Sequence, residues 1–368
     1  MVGDLCDEPP PCHDEPVALD LTSDPVSLTA ALVDIASESL QEQEIADQVE
    51  AALRAYPHLE VVRDGHTIVA RTHLGRSERV VIAGHLDTVP ANGNFPSRLD
   101  GDTLWGLGSC DMKGGTAIGL SAAATVPDPV RDVTYVFYEA EEIAAIHNGL
   151  GRLARERPEL LEGDFAILME PSNAGVEAGC QGTMRVELRT AGERAHPARS
   201  WMGVNAIHGL APVLEILATY EARRIVIDGL EYREGLNAVG ISGGVSGNVV
   251  PDEAVVTINF RFAPDRSEDD AFVHLQELFE GFGLTVTDSA PGAMPGLDRP
   301  AAAAFVEAVG GQVGPKFGWT DVALFTTLGV PAVNYGPGDP IYAHKADEHV
   351  PVAHLVDVHE RLVGWLRG

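Results

Sequence analysis

The stretch VVIAGHLDTVP, residues 80–90, begins as an apolar strand and turns polar within a few residues. Val80, Val81, Ile82 and Ala83 form an unbroken apolar run, whereas a strand with one wet face alternates apolar and polar side chains. The run is therefore predicted to be a strand covered on both faces. It ends in His85, Asp87 and Pro90, which a buried strand does not need for packing.

Outward from this stretch the same design recurs. Short apolar runs appear at TIVART (67–72), DVTYVFYEAEE (132–142), DFAILME (164–170) and VPAVNYG (330–336). Between them lie stretches of helical character, KGGTAIGLSAAATV (113–126) and HNGLGRLARERPELL (147–161). Amphipathic helical segments precede them at 26–36 and 44–56. Strands alternating with helices predict crossover units and an α/β domain built on a mainly parallel sheet. The middle of the chain follows another rule. Residues 183–190 and 253–263 (EAVVTINFRFA) alternate apolar and polar, and GVNAIHGLAPVLEILATY and DDAFVHLQELFEGF carry helical spacing. This predicts an inserted α+β domain with one sheet face covered by two helices. The expected division is a disordered acidic tail (1–16), a first catalytic part (17–178), the insert (179–292) and a second catalytic part (293–368).

Composition narrows the function. The 368 residues suffice for two domains, and the formal charge of −30 excludes a basic nucleic-acid footprint and adhesion to anionic membranes. No apolar run approaches the roughly 18–20 residues that span a bilayer. The N-terminal MVGDLCDEPPPCHDEP is acidic and Pro-rich and lacks the apolar core of a secretory signal. Cys6, Cys12, Cys110 and Cys180 form no paired framework, so a reducing cytoplasm is expected. Cys6, Cys12 and His13 are read as part of the tail rather than as a metal site.

The misplaced polar residues fall in register with the strand map. His85 and Asp87 end one run, Glu141 and Glu142 another, and Glu170 a third; the run at 330–335 leads through GPGDP to His344. Asp111 sits between glycines ahead of a helix. Sites in parallel sheets form beyond the carboxyl ends of the strands, so these side chains are predicted to meet. Several carboxylates buried together repel one another unless divalent cations neutralise them. A mixed nitrogen and oxygen donor set suits zinc, with cobalt or manganese able to substitute. His85 and Asp87 project to one side of an extended segment, so the Asp87 carboxylate is expected to hydrogen-bond the imidazole nitrogen that faces away from the metal.

In this order and spacing, GHLDTVP, GLGSCDMKGG (106–115), EAEE (139–142), MEPS (169–172) and AHKADEHV (343–350) resemble the M20 metallopeptidases, the group of aminoacylase, acetylornithine deacetylase and carboxypeptidase G2. The resemblance covers nearly all of the chain beyond the tail. Within the family, EAGCQGTMRVEL (177–188), FGWTDVALF (317–325) and LGVPAVNYGPGDP (328–340) are most similar to the actinobacterial succinyl-diaminopimelate desuccinylase branch. That resemblance implies a homodimeric dizinc amide hydrolase acting on N-succinyl-LL-2,6-diaminopimelate, with another deacylase or peptidase activity of the family as the alternative. It implies that His85 and Glu170 ligate one zinc and Glu142 and His344 the other. Asp111 would bridge the two, with a cis peptide bond to Met112. Glu141 would remain free as the general base, and Asp87 would orient His85. The insert resembles the family's lid and dimerisation domain. There the resemblance implies that His196, in RAHPARSWMGVNAIH, reaches the partner subunit's site, while Asn248 and Arg261 contact substrate carboxylates. An arginine fork suits a dicarboxylate and supplies positive charge that this acidic chain otherwise lacks.

The sequence departs from the family pattern in three places. Cys110 precedes the bridging Asp where a small residue is usual, and is read as a passive buried thiol. AEEIAAIHNG (140–149) replaces the usual Asp-Glu-Glu-Gly, so the chain after Glu142 is expected to turn differently. KFGWTDVALF (316–325) stands where Gram-negative desuccinylases carry a Ser/Thr-Gly-Gly-Thr element, so Thr320 and Asp321 are not carried over as substrate ligands.

Overall fold

The unbroken apolar runs become neighbouring strands of one eight-stranded sheet. In the computed structural model, which describes residues 18–368, the spatial order is Glu60–Asp64, Thr67–Arg71, Asp132–Tyr138, Arg79–His85, Phe165–Leu168, Ala332–Tyr335, Val176–Ala178 and Val313–Pro315. The predicted tail, with Cys6, Cys12 and His13, lies outside the described residues. The four central strands run parallel. Antiparallel pairings flank them, Thr67–Arg71 with Asp132–Tyr138 on one side and Ala332–Tyr335 with Val176–Ala178 on the other. The sheet is thus mixed, with a parallel centre.

Both faces of the centre are covered, as continuous apolar runs require. Val80 and Ile82 enter one hydrophobic core with Leu28, Ile118 and Leu355, while Val81 and Ala83 enter the other with Leu150, Val322 and Phe325. Burying each of the valine and isoleucine side chains contributes about 1.5–3 kcal/mol, and a slip of one residue would exchange the two faces. The covering helix Lys113–Thr125 is buried along almost its whole length and is built mainly of small residues. A Cβ at Gly115 would stand 1.9 Å from the Met169 carbonyl oxygen. Only glycine admits that approach, which brings the start of this helix against the end of the Phe165–Leu168 strand.

The insert obeys the alternating pattern. Strands Gly235–Gly243, Glu253–Phe262, Gly182–Ala191 and Leu284–Ala290 form a four-stranded antiparallel sheet in that order. Met184, Val186, Val256, Ile258 and Phe260 point into a separate core with Val213 of the Ala211–Thr219 helix and Leu275 of Glu268–Leu278. Ser267 and Asp270 form a capping box at the start of the second helix, satisfying two otherwise free amides. The intervening positions Thr183, Arg185, Asn259 and Arg261 occupy the uncovered face. Sequence reading did not anticipate the hairpin of Arg224–Ile227 and Leu230–Arg233, nor the small sheet joining His349–Pro351, Thr103–Trp105 and Arg98–Asp100.

Candidate metal centre

Strand ends bring the polar residues together. His85 closes its strand, Glu141 and Glu142 follow Asp132–Tyr138, and Glu170 follows Phe165–Leu168. Asp111 precedes the Lys113–Thr125 helix through a cis peptide bond to Met112, and His344 lies beyond Ala332–Tyr335. Donor atoms of His85, Asp111 and Glu170 lie within 4.8 Å of one another, and so do those of Asp111, Glu142 and His344. A further group of His85, Glu141 and Glu142 overlaps both. Asp111 faces each imidazole with a different oxygen: Oδ1 is 3.3 Å from His85 Nε2, and Oδ2 is 3.6 Å from His344 Nε2. His344 Nε2 also lies 2.9 Å from Glu142 Oε2.

The donor set fits divalent cations. Glu170 Oε1 is buried and has no hydrogen-bond partner, an orphaned acceptor that a cation would satisfy. His85 faces oxygen acceptors through both nitrogens, Asp87 O at 3.0 Å from Nδ1 and Asp111 at Nε2. With the Nδ1 proton given to the carbonyl, Nε2 is left as the lone-pair donor toward Asp111 and Glu170. Burial pushes Glu141 and Glu142 upward in pKa, and burial together with the nearby Asp111 carboxylate raises Glu170 to about 8. The hydrogen bond to Glu142 lifts His344 to about 9. Burial opposes charge on His85, yet the Asp111 and Asp87 carboxylates hold its pKa well above the usual imidazole range. If all four carboxylates were ionised, they would outweigh even two protonated imidazoles; the raised glutamate pKa values express that cost, and bound divalent cations would remove it.

The Asp87 side chain faces His85 as expected and has a second role that was not expected. Its carboxylate oxygen lies 3.5 Å from His85 Nδ1, and the imidazole proton goes to the Asp87 main-chain carbonyl. The carboxylate also accepts from Glu141 N at 3.0 Å, Glu142 N at 3.1 Å and Ser39 Oγ at 2.7 Å. It therefore fixes the turn presenting both glutamates. Ala140 in that turn is left-handed (φ 58°), a conformation rare for a residue with a side chain, and buried Glu42 accepts its amide at 3.1 Å. Sequence reasoning also missed Glu348, whose Oε1 accepts the amides of Cys110 and Asp111 at 3.1 and 3.0 Å. The visible signal was its place four residues after His344 in AHKADEHV.

Residues 81–367 match the profile described as Peptidase family M20/M25/M40. The chain belongs to that family. Over 352 residues, 94% of this M20 chain and 99% of the relative, it is 57% identical to a Mycobacterium tuberculosis protein provisionally named succinyl-diaminopimelate desuccinylase DapE. It is 46% identical to the succinyl-diaminopimelate desuccinylase of Corynebacterium glutamicum, covering 92% of this chain and 95% of that one. Its fold matches the M20 metallo-carboxypeptidase Sso-CP2 of Sulfolobus solfataricus with a TM-score of 0.77 at 17% identity, over 94% and 99% of the two chains. It also matches the Bacillus subtilis YxeP protein, described as a dinuclear metal-binding M20 peptidase, with a TM-score of 0.70 at 17% identity, over 93% and 96%.

Other expected residues of this M20 chain lie apart from the cluster. His196 is exposed and accepts Ala198 N through Nδ1, Asn248 is exposed and accepts Ser246 Oγ, and half-buried Arg261 donates to Asn259 Oδ1. Among the described residues none of the three bonds to the metal cluster or lines its cleft, which measures about 390 Å³. Thr320 lines the cleft, but its hydroxyl donates to Asn334 Oδ1 at 2.9 Å. Asp321 is buried and accepts from Asn148 Nδ2 at 2.9 Å. Cys110 is fully buried, its thiol bonds Asp339 O, and burial raises its pKa well above the ordinary thiol range.

Proposed function

We propose that this M20 chain hydrolyses N-succinyl-LL-2,6-diaminopimelate to succinate and LL-2,6-diaminopimelate, a step of lysine and peptidoglycan-precursor synthesis. The observation that carries the reaction type is the pair of donor sets sharing Asp111, with Glu141 beside them. The names of the two relatives that align over nearly their whole length support the substrate. His85, Asp111 and Glu170 would hold one cation and Asp111, Glu142 and His344 the other, zinc being the metal this donor set suits best and cobalt a substitute. Two bound divalent cations would polarise the amide carbonyl and lower the pKa of an attacking water toward about 7.

The protein's own groups carry the protons. Glu141 takes the proton of the attacking water and returns it to the departing nitrogen, leaving a free carboxylate and a free amine. Asp87 holds the amides of Glu141 and Glu142, so that base and ligand stay in fixed relation. In this reading residues 179–292 form the lid and dimerisation domain, between catalytic parts 17–178 and 293–368, and the enzyme works in the cytoplasm. Trp201, Met202 and Val204 are exposed together on the insert, as are Val239 and Ile241 on its edge strand, which supports a homodimer formed there. His196 then reaches the partner's cleft, and Asn248 and Arg261 take substrate carboxylates.

Steady-state rates with N-succinyl-LL-2,6-diaminopimelate, N-acetylornithine and a dipeptide test the assignment. The first should be the best substrate by at least tenfold in kcat/KM. No turnover of it beside good turnover of another would replace the substrate while keeping the reaction type.

A further inference from the structure

Only three of the 25 lysines and arginines are lysines, and each either neighbours a cluster residue in sequence or lines the cleft. Lys113 follows Asp111 and Met112, Lys345 follows His344, and Lys316 lines the cleft itself. Lys113 is 2% exposed, and its Nζ donates to Ile35 O at 2.7 Å. Lys345 lies out in solvent, with Nζ 5.8 Å from the Tyr342 ring centre. Lys316 differs from both. Its Nζ donates to Pro171 O at 2.9 Å and stands 2.9 Å from Glu177 Oε2, while the side chain is 7% exposed. An ammonium has three N–H bonds, and these partners account for two.

The third bond points to no partner given by these contacts, and the cleft around it is acidic. Asp111, Glu141, Glu142, Glu170 and Glu177 line the cleft, and among the described residues no arginine does. A substrate carboxylate entering it meets Lys316 as the one lysine or arginine on the wall. Burial opposes the charge, but the carboxylates of Glu177, Glu170 and Asp111 keep the ammonium protonated. An arginine here would grip Glu177 with both arms of its fork, whereas a point-charge ammonium keeps a bond to spare. Lys316 also opens the KFGW stretch, the segment that departs from the expected Ser/Thr-Gly-Gly-Thr element.

We propose that the Lys316 ammonium binds a carboxylate of the amide substrate, with Glu177 holding the ammonium in place in the free enzyme. This rests on the substrate being an N-acyl dicarboxylate, as proposed above. The carboxylate belongs either to the acyl portion or to the amine portion, and the two products separate these sources.

The test is calorimetric titration of zinc-loaded enzyme with succinate and, separately, with LL-2,6-diaminopimelate, alongside kcat and KM for the intact substrate. Lys316→Met should weaken one product by about tenfold to a hundredfold, the loss expected when one side of a charge-assisted hydrogen bond is removed, and leave the other within twofold. Glu177→Gln frees the ammonium of its competitor and should tighten the same product severalfold. An ion pair with a structural role alone would give no such opposite signs. Unchanged affinities in a folded Lys316→Met protein overturn the proposal. Equal weakening in both variants overturns it too, as does a fall in kcat with both affinities intact, which would make Lys316 a stabiliser of the reacting carbonyl. Should Lys316→Met not fold, Glu177→Gln and Lys316→Arg give the same reading, the latter weakening the same product. Wild-type enzyme that binds succinate through Lys316 but does not hydrolyse the succinyl substrate would sink the substrate assignment and leave the anchor standing. Wild-type enzyme that binds neither product overturns both.

Discussion

The two sheets treat their polar residues in opposite ways. At the ends of the parallel strands, side chains distant in sequence meet: His344 reaches Glu142 and Asp111, and Glu348 reaches the amides of Cys110 and Asp111. On the antiparallel insert, the side chains of the expected substrate residues bond, among the described residues, only to near neighbours, Arg261 to Asn259, Asn248 to Ser246 and His196 to Ala198. The difference follows from coverage. A sheet buried on both faces has little water to satisfy its polar groups and draws partners from across the chain, while a sheet with one open face leaves groups for a ligand or a second chain. The chemistry is thus preorganised within one chain, and recognition is left to be completed.

That contrast can be broken at several points. The largest effect is expected from the cations: exhaustive chelation should abolish turnover, and zinc or cobalt should restore it with little change in far-UV circular dichroism. Activity persisting in protein shown by elemental analysis to be metal-free would remove the premise. Next, Glu141→Ala should lower kcat by roughly 10²- to 10⁴-fold, the usual contribution of a general base, while zinc stays near two per chain. Loss of zinc in step with activity would make Glu141 a ligand instead. Asp87→Ala leaves two part-buried amides without an acceptor, so urea denaturation should show a loss of about 2–3 kcal/mol together with a lower kcat. The smallest effect belongs to the insert: Arg261→Ala should raise KM by about tenfold and leave kcat, zinc content and melting temperature close to wild type. If that variant lost metal, the two regions would not be separable.

Much of this organisation was readable in the sequence. The run at residues 80–83 announced a doubly covered strand, and the alternation in EAVVTINFRFA matches strand Glu253–Phe262, with Ala254, Val256, Ile258 and Phe260 inward. The gathering of His85, Asp111, Glu141, Glu142, Glu170 and His344 was readable because strand ends have a fixed direction. Hydrogen bonds made across the fold were not. The Asp87 carboxylate was expected at His85, because local spacing puts the two on one side. In the structure it faces His85 at 3.5 Å, and the chain also brings the amides of Glu141 and Glu142 to it, a contact of which sequence spacing carries no trace. Glu42 and Glu348 are buried acids serving backbone amides, so they add nothing to a periodic pattern and pass for surface charge. The strands Thr103–Trp105 and His349–Pro351 have three residues each, too few for alternation to register.

The six clustered residues are spread from position 85 to position 344. During synthesis the emerging chain therefore holds most of the donor set long before His344 exists. Assembly requires closing loops across most of the polypeptide, which slows folding relative to a helix-rich protein of similar size. Cations that bind only the finished arrangement pull the last docking step to completion, since ligand bound to the native state alone adds to its stability. A folding experiment with and without zinc should therefore differ chiefly in how long the native state survives once formed, and much less in how fast the sheet first appears.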